Sequence, residues 1–400
     1  MGGAPAPALR GTPAAALGVS WPRAPLLMCS SSSRTGPVEG LISIARELRA
    51  QGLDARFAGD TARPGENLGE HLALAGVPWE TGLRLSRKVR LRDVVHDSAR
   101  LVAFARDGRY DLFHAAFAHD HSLALWAARR ARNPELRVVR AAQRRVDATA
   151  GALRQRLWLL RRTDGIVVHS ARYRDAIVAL GLDGRRVAHV AGAVDTNWFS
   201  PGNAPELRRQ WGIPNEAPLA GIVARMKAER GHAMLLRAFA QVERQVPQAW
   251  LVIVGRGEME EDLRSLARDL GLSRVVFGGY LRGPGLVQAY RALDLAVWLR
   301  EGNDGACRGV LEAMACGLPV IAGDEGAPGE LVGDAGRVVP AEDPHSIAAA
   351  LAELLGDLAG TRQLGRAARE RAQEFTPRRA AVETLAFWRR LRDLPPLAGP

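Results

Sequence analysis

Two α/β domains, each built on a doubly wound parallel sheet, are what this sequence predicts, and three observations carry the prediction. The chain has 400 residues, 47% of them hydrophobic, enough for two or three domains that each bury a core. Short apolar runs alternate with longer amphipathic stretches, the pattern of parallel strands covered by helices. A segment rich in Pro, Gly and Asn, from Asp195 to Pro214, interrupts this alternation, which then starts again.

In the first half, PLLMCSS reads as a strand, VEGLISIARELRAQG as a helix ending at Gly52, LDARFAG as a second strand and DLFHAAF as a third. RVVRAAQRR, GIVVHS from Gly165 and RVAHVAG from Arg186 add further strands. After the interruption come LAGIVAR, the helix HAMLLRAFAQVERQ, AWLVIVG and the helix MEEDLRSLARDLG. RVVFGGY, DLAVWLR, LPVIAG and GRVVP continue the strand series, and PRRAAVETLAFWRRLRDL is an amphipathic helix from Pro377. The division that results is a flexible leader at 1–24, a first domain at 25–196, a linker at 197–215, a second domain at 216–375, and a C-terminal helix at 376–400 that packs back toward the first domain. Ligands of doubly wound sheets bind at the carboxyl ends of the strands, so the cleft between the sheets is the expected site.

The formal charge is +12, and lysine occurs only at Lys88 and Lys227, so arginine supplies nearly all of the positive charge. Residues 83–110 and 129–162 are dense in arginine. Such stretches sit in water as solvated helix faces or meet phosphates and anionic lipid head groups. No RNA-binding signature accompanies them, so nucleic acid is not an expected partner. No apolar run reaches the ~18–20 residues of a membrane helix. The first residues lack a basic segment followed by a long apolar core, so no signal peptide is read there. Cys29, Cys307 and Cys316 form no C-x-x-C pair and support neither a disulfide framework nor a zinc site. A reducing cytoplasm fits that usage.

The densest chemistry lies in DGACRGVLEAMACGLPVIAG, residues 304–323. A glycine-containing loop with Gly305 and Ala306 feeds a helix expected from about Cys307 to Cys316, and Gly317-Leu318-Pro319 ends it. Asp304 precedes the helix and Glu312 lies more than a turn inside, so both carboxylates can reach one ligand. A carboxylate accepts two hydrogen bonds at once and suits adjacent hydroxyls; free N–H groups at the helix start suit a diphosphate. In GIVARMKAERGHAMLLRAF, Arg225 closes a strand and Arg230 stands before Gly231-His232. Two such cations can neutralise a bound diphosphate without a metal. No two aspartates stand two residues apart, so the Asp-x-Asp metal motif is absent and no metal site is expected.

Glu312-Ala313-Met314-Ala315-Cys316-Gly317, with an acid eight residues before the Glu, resembles the retaining glycosyltransferases of family 4. Asp304 stands where that family has its first Glu, and Arg230 where it has a Lys. Gly255 and Gly257 in VIVGRGEMEEDL, Gly326 and Glu330, and Val194, Asp195, Phe199 and Pro201 in VAGAVDTNWFSP follow the family's order. The resemblance covers roughly residues 160–390 well and the first 150 poorly. Gly36-Pro37-Val38-Glu39 stands where the family has a Gly-Gly turn, with Pro37 suited to a first helical turn. Gln143 stands where the family has a His near the reacting carbon. His114, His119 and His121, three histidines after one strand, are the alternative acceptor-side candidates together with Arg140.

The resemblance implies a GT-B fold, two Rossmann-like domains facing a central cleft, and sugar transfer from a UDP- or GDP-sugar with retention of configuration and no cofactor. Arg225, Arg230 and Asp304 would be catalytic; Gly36, Gly255, Gly257, Gly305, Ala306 and Glu312 would hold the donor. It further implies a glycan or lipid-linked acceptor in surface polysaccharide or lipopolysaccharide synthesis. The expected protein is a cytoplasmic monomer with peripheral contact to the anionic inner face of the membrane. Gln143 and Pro37 leave one alternative, a nucleotide-sugar-binding subunit without transfer.

Overall fold

Strands β1 (Pro25–Cys29), β2 (Arg56–Gly59), β3 (Leu112–Ala115), β4 (Arg137–Ala142), β5 (Gly165–Val168) and β6 (Val187–His189) form one parallel sheet in the order β2-β1-β3-β4-β5-β6. The computed structural model describes residues 21–32, 36–61, 68–85, 90–142, 157–300 and 305–397. Every residue of β1, β3 and β5 is buried, as expected for strands covered on both faces. The helices on this sheet are α1 (Gly36–Ala50), α2 (Leu68–Leu74), α3 (Leu91–Arg106), α4 (Ala118–Ala131) and α5 (Ala171–Ala179). Pro37 lies in the first turn of α1, where its missing N–H has no intrahelical partner to lose.

The second half repeats the plan with helices between its strands. α6 (Pro205–Gln210), β7 (Leu219–Val223), α7 (His232–Gln245), β8 (Trp250–Val254), α8 (Glu260–Asp269), β9 (Val275–Gly279) and α9 (Pro284–Ala292) come first. β10 (Leu295–Trp298), α10 (Arg308–Ala315), β11 (Val320–Gly323), α11 (Ala327–Val332), β12 (Gly336–Val339), α12 (Pro344–Gly356), α13 (Leu358–Ala372) and α14 (Pro377–Arg392) complete the chain. The parallel order β12-β11-β10-β7-β8-β9 reverses between β7 and β10, as the first sheet's order reverses between β1 and β3.

Two boundaries read from composition shift. Pro205 starts α6 inside the expected linker 197–215, and its Arg208 is buried, donating to Ala292 O at 2.7 Å and Asp294 Oδ2 at 2.9 Å. The second domain therefore begins before the composition becomes regular, because proline in a first helical turn favours rather than breaks the helix. Within the expected leader 1–24, Trp21 is buried in the first domain's core, and the N–H groups of Arg23 and Ala24 donate to Asp111 at 2.7 and 3.1 Å. Residues 1–20 lie outside the described residues.

Helix α14 returns to the first domain. Ala381, Leu385, Trp388 and Leu391 join the core that α1 shares with the sheet. Arg137 donates to Leu391 O at 3.3 Å and Leu394 O at 3.3 Å, placing a cation at the helix's carbonyl end, where the dipole favours it. Leu391 lies on Gly165 of β5, where any Cβ would collide with its methyl group. Gly165→Ala is expected to cost about 1–3 kcal/mol by overpacking. Gly40→Ala, in α1 where an added Cβ meets nothing within 4 Å among the described residues, is expected to stabilise by about 0.5–1 kcal/mol. Urea unfolding of both variants reads the difference; equal midpoints would remove the close-approach explanation for Gly165.

Candidate active site

The cations of the second domain sit at its sheet reversal. Arg225 is exposed just past β7. Arg230 is buried, its guanidinium carbon 5.0 Å from the centroid of the Trp298 ring at the end of β10. Gly231, at φ 79°, turns the chain into α7. His232 is buried behind the turn, and burial first, then Arg230, lowers its pKa to about 4. It is therefore neutral near pH 7, and Arg225 and Arg230 carry the charge of this corner. The spare cation, Lys227, is half-buried and lies 3.5 Å from Glu258.

Glu312 is buried on α10. Arg308, one turn earlier on the same helix, places Nε 2.9 Å from Oε1, the i,i+4 spacing that makes side chains neighbours. Tyr290 of α9 donates its O–H to Oε2 at 3.0 Å. Burial first, then Glu312, raises the pKa of Tyr290, which stays a proton donor. The Tyr290 ring meets Phe199 edge-on at 6.0 Å. Each carboxylate oxygen thus has a donor, a guanidinium on one and a phenol on the other, and keeps lone pairs to accept from further hydroxyls. Gly305 and Ala306 carry the chain into α10 through Cys307, which caps the helix at φ 45°. Asp304, with Glu301, lies outside the described residues.

The two glycines expected against the nucleotide have a nearer reason to be glycine. A Cβ at Gly255 would collide with Ala224 O and one at Gly257 with Met226 O. The loop after β8 thus lies on the loop after β7, pinned by Met226 N–H to Arg256 O at 3.1 Å. Their missing side chains make room for that backbone.

On the first domain's side the histidine group divides. His114 of β3 lies under α14, edge-on to Trp388 at 5.5 Å, and burial lowers its pKa to about 3. His121 of α4 is buried with Nε2 2.7 Å from Thr163 Oγ1, and burial lowers its pKa to about 3 also. Both rings are buried and neutral near pH 7, where the acceptor-side reading expected them at an open strand end. His119, in the first turn of α4, is half-buried and remains at the strand-end edge. Arg140 of β4, also half-buried, lies 3.5 Å from Ala115 O and acts electrostatically on Asp120. Asp120 is buried and accepts from Phe117 N–H at 3.0 Å; burial raises its pKa while Ser30 and Arg140 oppose the rise. Gly36 opens α1 on the same edge. Gln143 lies outside the described residues.

The carboxyl edges of the two sheets meet. Glu330 of α11 receives Ser170 Oγ–H at 2.7 Å, Ala171 N–H at 2.7 Å and Arg172 N–H at 3.1 Å, so it occupies the N-terminus of α5 in the other domain. Arg172 donates to Asp324 O at 2.6 Å beside it. At a second junction, a Cβ on Gly192 would collide with Ala306 O. Ala306 thus touches the first domain's terminal segment.

The family model described as Glycosyltransferase Family 4 matches residues 35–198, and the one described as Glycosyl transferases group 1 matches residues 203–371. The chain belongs to the family 4 glycosyltransferases. Its fold is GT-B. It is 34% identical over 180 residues to a Mycolicibacterium smegmatis protein named GDP-mannose-dependent alpha-(1-6)-phosphatidylinositol monomannoside mannosyltransferase, covering 42% of this chain and 47% of that one. The chain thus spans about half the length of that relative. A phosphatidyl-myo-inositol mannosyltransferase of Mycobacterium leprae is 28% identical over 79% of this chain and 82% of its own. Anabaena HepE in complex with UDP-glucose superposes with a TM-score of 0.76 at 23% identity, over 91% of this chain and 99% of that one.

Sequence reading missed the supports of the site. Arg308 was legible from its i,i+4 spacing to Glu312. Tyr290, Trp298 and the α5 end that Glu330 occupies were not, since each comes from a distant segment. Glu330→Ala is expected to release the domains, raising the radius of gyration in small-angle scattering, whereas Glu330→Gln keeps part of the contact. An unchanged radius in Glu330→Ala would show that this contact does not hold the domains together.

Proposed function

We propose that this glycosyltransferase moves a sugar from a nucleotide-diphosphate sugar to a lipid-linked acceptor, with retention of configuration and without a metal. One observation carries the reading. Glu312, buried and held by Arg308 and Tyr290, stands on the same strand-end edge as Arg225 and Arg230, at the reversal of the second sheet. Glu312 would accept from the ribose hydroxyls, and Arg225 and Arg230 would stabilise the leaving diphosphate. Asp304 would face the donor sugar, where positive charge develops as the bond breaks. The leaving phosphate would take the acceptor's proton on the same face of the sugar. Domain closure would exclude water and limit donor hydrolysis.

For the donor, UDP- and GDP-sugars are the two candidates, supported by the relatives' names and the neighbour's ligand. A thermal-shift panel of UDP-, GDP- and ADP-sugars chooses between them, since selective binding stabilises the fold in proportion to the logarithm of ligand over dissociation constant. With the selected donor, Glu312→Ala is expected to raise the donor KM by about one to two powers of ten with a smaller change in kcat, the loss of a charged hydrogen bond of ~1.5–3 kcal/mol. An unaltered KM would remove the ribose role.

The acceptor, in this reading, is lipid-linked and belongs to surface polysaccharide or lipopolysaccharide synthesis at the cytoplasmic face of the membrane. On the first domain, α3 exposes Leu91 and Val95, and α4 beside it exposes Trp126. Trp158, also exposed, lies 4.0 Å from the Arg162 guanidinium, and Arg130 lies 5.6 Å from the Trp126 ring. Apolar tips among arginines suit an anionic bilayer surface. No helix among the described residues is long and apolar enough to cross a membrane. Flotation with anionic vesicles is expected to carry the protein at low salt and release it at high salt; absence of salt-sensitive flotation would separate this face from the membrane.

A further inference from the structure

We propose that Trp298 is a positioning residue that holds the Arg230 guanidinium in place, and that Gly309 is glycine because the indole needs its space. The proposal rests on the reading that Arg230 stabilises the leaving diphosphate. The family to which the chain belongs has a Lys at the position of Arg230. The two are not equivalent: an ammonium is a compact, strongly hydrated point charge, whereas a guanidinium is planar, weakly hydrated and able to stack on an aromatic face.

The structure supplies that face. The guanidinium carbon of Arg230 lies 5.0 Å from the Trp298 ring centroid, within cation–π range of the aromatic ring that binds cations best. Both groups are buried, at 6% and 7% exposure, so the attraction acts with little competition from water. Among the described residues Trp298 Nε1 has no hydrogen-bond partner, and packing and the cation place the ring. Its opposite edge lies on the first turn of α10, where a Cβ at Gly309 would collide with the six-membered ring. The next residue, Leu299, closes the other side: a Cβ on Gly231 would stand 3.1 Å from its own Cβ. The indole thus spans from the Arg230 turn to the helix that carries Glu312, and couples the cation to the ribose-holding carboxylate. A guanidinium fixed before the bond breaks needs no reorientation as charge moves onto the diphosphate.

The test uses the full chain and nucleoside diphosphate release from GDP-mannose or UDP-glucose, whichever raises the melting temperature more. Trp298→Leu is expected to lower turnover about 5- to 30-fold, with the donor KM changing less than about threefold. Arg230→Lys alone is expected to lose a similar factor, and Trp298→Leu with Arg230→Lys to turn over no worse than either single variant. Gly309→Ala is expected to lower turnover in the native chain and to add nothing once Trp298→Leu is present. Trp298→Phe, which keeps a ring face, is expected to fall between native and Trp298→Leu, and its melting curve separates a folding defect from loss of position. Additive losses in the double variants, or full turnover in Trp298→Leu beside an inactive Arg230→Ala, would overturn the proposal while leaving Arg230's own role intact. Normal turnover in Arg230→Ala would instead overturn the leaving-group reading, and the proposal with it.

Discussion

The backbone N–H of Val194 donates to Phe375 O at 2.9 Å, where the chain leaves the first domain and where, after the whole second domain, it comes back. These two passages lie side by side. Arg369 of α13 fastens the outgoing one, donating to Thr196 O at 2.9 Å, Phe199 O at 3.0 Å and Ala315 O at 2.7 Å at the end of α10. The returning one ends in α14, whose Trp388 and Leu391 are fully buried on the first sheet. This double connection ties the two domains side by side, with the strand ends of the two sheets opposed.

That opposition turns two separate sheet reversals into one cleft. The reversal between β7 and β10 presents Arg225, Arg230 and the start of α10, and the reversal between β1 and β3 presents Gly36, His119 and Asp120. Glu330 in the end of α5 and Ala306 against Gly192 bring the edges into contact. The passage and the site are also mechanically adjacent: Phe199 of the outgoing passage packs on Tyr290, and Tyr290 holds Glu312. A buried carboxylate tolerates little loosening of its partners, because an unpaired charge out of water is costly.

The residues expected to hold the donor were readable in groups because the members of each are close in sequence. Glu312 on one loop-to-helix stretch and two arginines around one strand end follow from the order of strands and helices, whereas Asp304 lies outside the described residues. The acceptor side was less readable. His114, His119 and His121 are equivalent by spacing, yet α14 covers His114 and Thr163 engages His121, which leaves His119 alone at the edge. Gly255 and Gly257 were readable as glycines after a strand, but the loop that each lies against, after β7, was not.

By itself the sequence determined the alternation of strands and helices, the repetition of that alternation, and which strand ends carry cations and carboxylates. Those properties depend on side-chain period, proline and glycine within about ten residues of each other. Tertiary structure alone decided which histidines are buried, why Gly165 and Gly309 lack side chains, and that Arg230 has an indole to lie on. It also decided that Glu330 belongs to a helix of the other domain. Each of these is a contact between segments far apart in the chain, and close packing, which no local period encodes, selects the partner.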